Sequence, residues 1–288
     1  MQFKLIRRIR RAGSRESEKP RIVVIHNHVF KNAGTTLDWA LKRTFGNHFV
    51  DHRDNDLMRQ GADYLGPYLQ ENPNILALST HHLVFPLPQL DNIELKQLMM
   101  FRHPIERVSS VYHFERNQII DTPGTIHARK LSLGDYITWR MRSDVGATIR
   151  NNHARKMLPP RKLGQERLEE SEMRTLKSHL LNLDMLGLVE RFDESLVLFE
   201  EFLRRYFPKI DLSYVPQNIR QAEQSNLEGR LAKLKLEIGE DVFEMLEKNN
   251  EADLQLYRWA KLEFQGRVLA VPNVQEKLST LGARCRML

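Results

Sequence analysis

Lys31 stands at the head of a turn of small and hydroxyl-bearing residues, Asn32-Ala33-Gly34-Thr35-Thr36. The β-branched run Arg21-Ile22-Val23-Val24-Ile25 before it reads as a buried strand, and Leu37–Phe45 after it reads as a helix. In a strand, glycine-containing turn and helix start, unpaired backbone N–H groups and the positive end of the helix dipole face one point. Lys31 adds a full charge there, so the turn is expected to hold an anion. A nucleoside-triphosphate loop would place its lysine after a second glycine. Here Lys31 precedes Gly34 by three residues, and no glycine separates it from the strand. The loop is shorter and wraps less phosphate, which favours a single 5′-phosphate group.

A second junction repeats the pattern. Leu95–Phe101 reads as a buried strand, and Pro104 suits the first position of a helix whose apolar side is Val108, Val111, Tyr112 and Phe114. Arg102 falls at the strand end and Ser110 in the second helical turn. A kinase of this architecture would want an aspartate at a strand end to hold Mg²⁺. An arginine favours a second anion instead. Asn74–Thr80 reads as a third strand, with His81 and His82 directly after it, at the carboxyl edge where parallel sheets bind ligands. His82 is the candidate general base, since an unperturbed imidazole suits that task near neutral pH. His81 would point the other way and be structural. His26 and His28 share a strand face, but with no supporting cysteine or H-E-x-x-H pattern no metal is expected.

These residues resemble sulfotransferases that use 3′-phosphoadenosine 5′-phosphosulfate (PAPS), in particular the carbohydrate branch that includes the heparan uronyl 2-O-sulfotransferases. His28-Val29-Phe30-Lys31-Asn32-Ala33-Gly34-Thr35-Thr36-Leu37 is similar to that family's H-I-P-K-T-G-G-T-S-L pattern, with Phe30 for proline and Asn32-Ala33 for Thr-Gly. Arg102–Tyr112 resembles R-D-P-I-E-R-L-V-S-x-Y, with His103 for aspartate. His82-Leu83-Val84-Phe85 resembles H-V-S-Y, and residues 186–198 resemble G-L-x-E-x-F-x-E-S-L. Asp253, Leu256, Tyr257, Ala260 and Phe264 are similar to a D-x-x-L-Y-x-x-A-x-x-x-F helix.

The resemblance implies that Lys31, Asn32, Ala33, Gly34, Thr35 and Thr36 surround the 5′-phosphosulfate. It implies that Arg102 and Ser110 take the 3′-phosphate, and that Lys31 and His82 are catalytic. Asn151-Asn152-His153-Ala154-Arg155 is similar to N-x-Q-T-R and brings Arg155 toward the nucleotide. The Asn32 amide would replace the missing threonine hydroxyl as a donor. The implied reaction moves a sulfuryl group from PAPS, without a metal, to a hydroxyl of a carbohydrate or glycolipid. A small nucleotide kinase and a non-catalytic nucleotide- or polyanion-binding protein remain the alternatives.

The elements that must position these groups alternate along the chain, which predicts a parallel β-sheet flanked by helices, a P-loop-kinase-like fold. Expected strands cover 21–26, 74–80, 95–101 and 185–189, and expected helices 36–45, 104–117, 133–141, 165–182, 193–206 and, with a break near Gly239, 228–264. Residues 46–73 read as loops around short helices, Thr122–Gly124 as a break, and 120–180 as an inserted helical lobe. The expected division is a basic, disordered tail over 1–20, a catalytic domain over 21–265 and a C-terminal extension over 266–288.

The formal charge of +7 is concentrated at the start, where residues 1–21 hold eight basic and two acidic residues. The remaining chain is near neutral, which argues against a nucleic-acid-coating surface. Leu5, Ile6 and Ile9 lie opposite the arginines in that tail, a pattern suited to weak contact with anionic lipid. The N-terminus lacks the apolar centre of a secretory signal, and the single cysteine, Cys285, forms no internal disulfide. The expected location is the cytoplasm, with the inner membrane face as a peripheral site.

Overall fold

Strands whose central members are apolar and buried on both faces assemble here into one five-stranded, all-parallel sheet in the order β2-β3-β1-β4-β5. The strands are β1 (Arg21–Asn27), β2 (Phe49–His52), β3 (Ala77–Thr80), β4 (Ile93–Phe101) and β5 (Met185–Leu188). The computed structural model describes residues 19–160, 168–217 and 226–288. The basic tail lies outside the described residues apart from its last two positions, as does the start of the helix expected at 165. β1 is central, with Asn27 level with Thr80 of β3 and with Met99 of β4. The segments leaving three adjacent strands therefore meet at one carboxyl edge, where the sequence placed Lys31, His82 and Arg102.

Helices α1 (Gly34–Phe45), α2 (Asn55–Met58) and α3 (Ala62–Glu71) precede β3. Between β4 and β5 lie α4 (Pro104–Arg116), α5 (Pro123–Lys130), α6 (Leu133–Arg140), α7 (Asn152–Met157) and α8 (Glu170–Leu181). After β5 come α9 (Phe192–Leu203), α10 (Leu227–Ile238), α11 (Glu240–Lys248), α12 (Glu251–Leu269) and α13 (Val274–Arg286). Side chains alternate across the strands. Val24, Leu98 and Met100 meet α1, α9 and α13 on one face. On the other, Met99 and Phe101 meet α7, α8 and α12, while Val23, Ile25 and Leu78 meet α3. Gly187 is required on the crowded face, because a Cβ there would run into Met100, Ser195 and Phe199.

A third cluster joins α4, α5 and α6 to α10 and α11 through Ile105, Val111, Tyr136, Leu234 and Leu246. The inserted lobe is thus completed by residues 227–248, whereas α8, expected within it, packs on the sheet. β2, α5, α7 and α13 are absent from the elements expected from the sequence. β2 is only four residues long and lies on an edge, too short to show a period. The expected break at Thr122–Gly124 is the start of α5: Thr122 caps it through a reciprocal capping box with Thr125. At the C-terminus α12 runs unbroken through residue 266, and Leu281 of α13 is fully buried in the sheet core. Among the described residues no helix is long and apolar enough to cross a membrane.

Candidate functional site

The turn after β1 is built in a conformation that side chains usually avoid. Lys31 and Ala33 have φ of 65° and 57°, left-handed values that cost a non-glycine residue about 1 kcal/mol or more. Ala33 is the N-cap of α1 and offers no side-chain acceptor, so the first N–H groups of α1 have no cap from that residue. Gly34 opens the helix because the His28 ring fills the space a Cβ would need. That ring is fixed from below. His26 Nδ1 and His28 Nδ1 lie 2.7 and 2.8 Å from the two oxygens of buried Asp38, with Arg53 Nη2 3.3 Å from the same carboxylate. Burial alone would raise the Asp38 carboxyl, but His26 and His28 hold it far below the usual range. These groups satisfy one another as hydrogen-bond partners, and their arrangement shapes the loop. Thr35 is exposed beside it. Thr36 is tied to the segment before residue 218, its Oγ1 accepting from the Gln217 N–H at 3.1 Å.

Asn32 does not present its amide to the anion space, as the sequence reading expected. It is buried, and its Nδ2 donates inward to the Met100 carbonyl and to His153 Nε2, both at 2.7 Å. His153 therefore carries its proton on Nδ1 and donates it to Asp253 Oδ2 at 2.9 Å. The Asp253 carboxylate also accepts the N–H groups of His153 and Ala154. Burial pushes its pKa up, but His153 and these N–H groups hold it below the carboxylate range. The only contribution left for Asn32 at a bound anion is from its backbone.

Arg102 reaches across from β4. Its Nη1 donates to the Lys31 carbonyl at 3.1 Å, while Nε and Nη2 form a bidentate pair with Glu106. Ser110 is half-buried one turn beyond Glu106, on the same helix face. Arg107, fully buried, donates to the Phe30 carbonyl at 3.2 Å and to Thr148 at 2.7 Å. Two guanidinium groups thus hold two consecutive loop carbonyls. Glu190 accepts the N–H of His103, the N-cap residue of α4, at 2.7 Å. Lys31 Nζ lies 4.4 Å from the centre of the Phe114 ring, which meets Phe30 edge-on.

At the end of β3, His81 Nδ1 donates to the His28 carbonyl at 2.7 Å, and the two rings lie 4.1 Å apart. His81 thus braces the loop through the His28 carbonyl, although the chain bends at His81 rather than continuing the strand. His82 is half-buried beside Lys156, whose ammonium donates to the His81 carbonyl at 2.5 Å. Burial, Lys156 and Arg59 bring His82 down to about 4, so its imidazole is neutral at ordinary pH. Burial, with Arg59, Arg155 and Arg107 nearby, lowers Lys156 to about 8. Arg155 is half-buried, and its Nη1 is a buried donor without a hydrogen-bond partner among the described residues. Such an orphan fits an anionic ligand. The sequence reading missed Arg107, Lys156 and Asp38. Arg107 lay inside a quoted motif, while the other two gave no signal because their partners are distant in sequence or in neighbouring elements.

Fold and site define an α/β protein with a cationic carboxyl edge centred on a strand–turn–helix loop. The chain is 30% identical over 251 residues to an uncharacterized protein of Archaeoglobus fulgidus, an alignment spanning 84% of this chain and 96% of the archaeal protein. It belongs to the same family as that protein. No protein-family model matches the chain.

Proposed function

We propose that the protein is a PAPS-dependent O-sulfotransferase acting on a carbohydrate or glycolipid hydroxyl. The observation that supports this most directly is the contact between Arg102 and the Lys31 carbonyl, which joins two anion-directed elements at one place. The strand end beside the loop offers arginine, where a nucleotide kinase would offer a carboxylate for Mg²⁺. Lys31, the backbone of residues 32–35 and Thr36 would surround the 5′-phosphosulfate. Arg102 and Ser110 would take the 3′-phosphate, and the orphaned Arg155 donor fits a further anionic group of the nucleotide.

In the reaction the acceptor oxygen bonds to sulfur while the bond from sulfur to the bridging phosphate oxygen breaks, leaving 3′-phosphoadenosine 5′-phosphate (PAP). Lys31 offsets the charge that gathers on the leaving phosphate. Neutral His82 receives the acceptor proton. Its lowered pKa makes it a weaker base than a free imidazole but keeps it unprotonated at mildly acidic pH. A cytoplasmic location is part of this reading.

Calorimetric titration with PAP, ATP and a heparin-like polymer, each with a chelator and with Mg²⁺, tests the proposal. PAP binding independent of metal is expected. A preference for ATP that requires Mg²⁺ would favour the kinase reading, and binding of the polymer alone the non-catalytic one.

A further inference from the structure

Beyond the nucleotide site, the turn between α4 and α5 presents two adjacent isoleucines to solvent. Ile119 is 94% exposed and Ile120 71%. Isolated apolar side chains on a surface are ordinary, but this pair is held out by its own backbone. The Gln118 N–H donates to the Glu115 carbonyl at 3.2 Å, and Arg129 Nη1 to the Gln118 carbonyl at 2.9 Å. Thr125 Oγ1 donates to the Ile120 carbonyl at 2.7 Å, and Arg129 pairs with Asp121. The main chain is pinned on both sides of the pair while the side chains point away from the protein.

Lys130 stands exposed beside the turn with no hydrogen-bond or ion-pair partner among the described residues. Arg116 donates to the Tyr112 hydroxyl at 2.7 Å and the Ala128 carbonyl at 3.2 Å, and Arg129 is shared between the Gln118 carbonyl and Asp121. The turn therefore carries a net positive charge of which Lys130 is the open part. Phe114, itself exposed, stands five residues before Ile119 and touches the candidate catalytic lysine through its ring. The apolar tip is therefore close in the chain to the mouth of the site. Two side chains fall far short of the about 800 Å² per partner of a stable protein interface. An apolar tip beside an open lysine, in a turn of net positive charge, instead matches an anionic bilayer surface, where apolar insertion and charge attraction add.

We propose that the α4–α5 turn docks the protein on an anionic membrane, inserting Ile119 and Ile120 among the lipid headgroups with Lys130 facing lipid phosphates, while Arg129 and Arg116 hold the turn in shape. Given the sulfotransferase reading, on which this consequence rests, the acceptor is a hydroxyl presented at the bilayer surface, as in a glycolipid headgroup.

The test is vesicle co-sedimentation of the full chain without nucleotide. It compares phosphatidylcholine vesicles with vesicles in which phosphatidylglycerol replaces part of the phosphatidylcholine. The wild type should sediment with the anionic vesicles and be released by salt. Ile119→Ser/Ile120→Ser should lose at least about tenfold in partitioning while keeping its thermal transition. Leu236→Ser, which alters a side chain 87% exposed on α10, should behave as wild type. Each single isoleucine variant should fall between. Wild type that ignores anionic vesicles overturns the proposal. So does a double variant that binds like wild type, which would put the contact elsewhere, the basic segment before β1 included. A double variant that converts a vesicle-free dimer to monomer also overturns it and assigns the turn to a second copy of the chain. PAP titration of the same proteins reports on the sulfotransferase reading separately, because the substitutions lie outside the nucleotide site.

Discussion

His153 Nε2 lies 2.7 Å from Asn32 Nδ2, and the same nitrogen is 3.5 Å from the Arg102 N–H. One fully buried imidazole thus ties the anion loop to the end of β4, and Asp253 at the start of α12 holds that imidazole in place. The loop's strained backbone is anchored from about a hundred and two hundred residues further along the chain.

Asp253→Ala should therefore do more than loosen α12. It removes the acceptor for two backbone N–H groups and for His153, all buried, at a cost of about 3 kcal/mol. Denaturant unfolding should show the loss, and PAP affinity should fall in the still-folded fraction. Wild-type stability with normal PAP affinity would mean that the anchor is dispensable.

Arg102→Ala should weaken PAP binding by about 2–3 kcal/mol, since a charge-assisted pair with the 3′-phosphate would be lost. Ser110→Ala should cost less. The loss should be specific to nucleotides with a 3′-phosphate. If wild type binds the dephosphorylated analogue as tightly as PAP, Arg102 serves Glu106 and the loop carbonyl rather than the ligand.

How far the sequence reveals this site depends on the range of each interaction. Lys31, Gly34 and Arg102 were legible because strand, turn and helix signals are local and their order is informative. The direction of the Asn32 amide was not, because its partner His153 lies 121 residues away and a short polar side chain reads equally well as a ligand donor. β2 was illegible because four residues carry too little pattern. α5 was misread because Thr122-Pro123-Gly124 suits both a turn and a capped helix start. The lobe's true composition depended on α10 and α11 returning to α4, a tertiary contact with no local signature.

On the sulfotransferase reading, Lys31→Ala should damage PAP binding and turnover together, because the ammonium would act on the phosphate both before and during transfer. His82→Ala should leave PAP affinity nearly unchanged and lower turnover by about a hundredfold. The wild-type rate should hold through mildly acidic pH and fall near about 4, where His82 protonates, rather than near the ordinary imidazole value. Near-normal turnover in His82→Ala would move the role of base to another group.

Stability should fall steadily on acidification. Burial holds His81 at about 3 and His82 and His103 at about 4, below the 6.5 of a free imidazole. As pH drops through 6.5 the unfolded chain binds protons that the folded chain resists, so stability declines from there to about pH 4. Asp38 and Asp253, held ionised in the fold, extend the decline once the unfolded carboxyls protonate below their ordinary 3.8. Urea midpoints at a series of pH values would show the slope. A flat midpoint between the ordinary imidazole value and pH 4 would contradict the burial of these rings.

Gly34→Ala probes the floor of the loop. The new methyl would overlap the His28 ring, which Asp38 holds from one side and His81 packs against on the other. The ring has no easy retreat, so the substitution should destabilise by about 1–3 kcal/mol. It should also shift the first N–H groups of α1 and weaken PAP. In a His28→Ala background the obstacle is gone, and Gly34→Ala should then cost nothing or stabilise slightly, because alanine is the better helix former at this first position of α1. The double-mutant cycle separates a specific clash from general intolerance of the loop. Equal cost in both backgrounds would mean that Gly34 is required by the backbone or by the ligand, and that His28 only happens to lie beneath it.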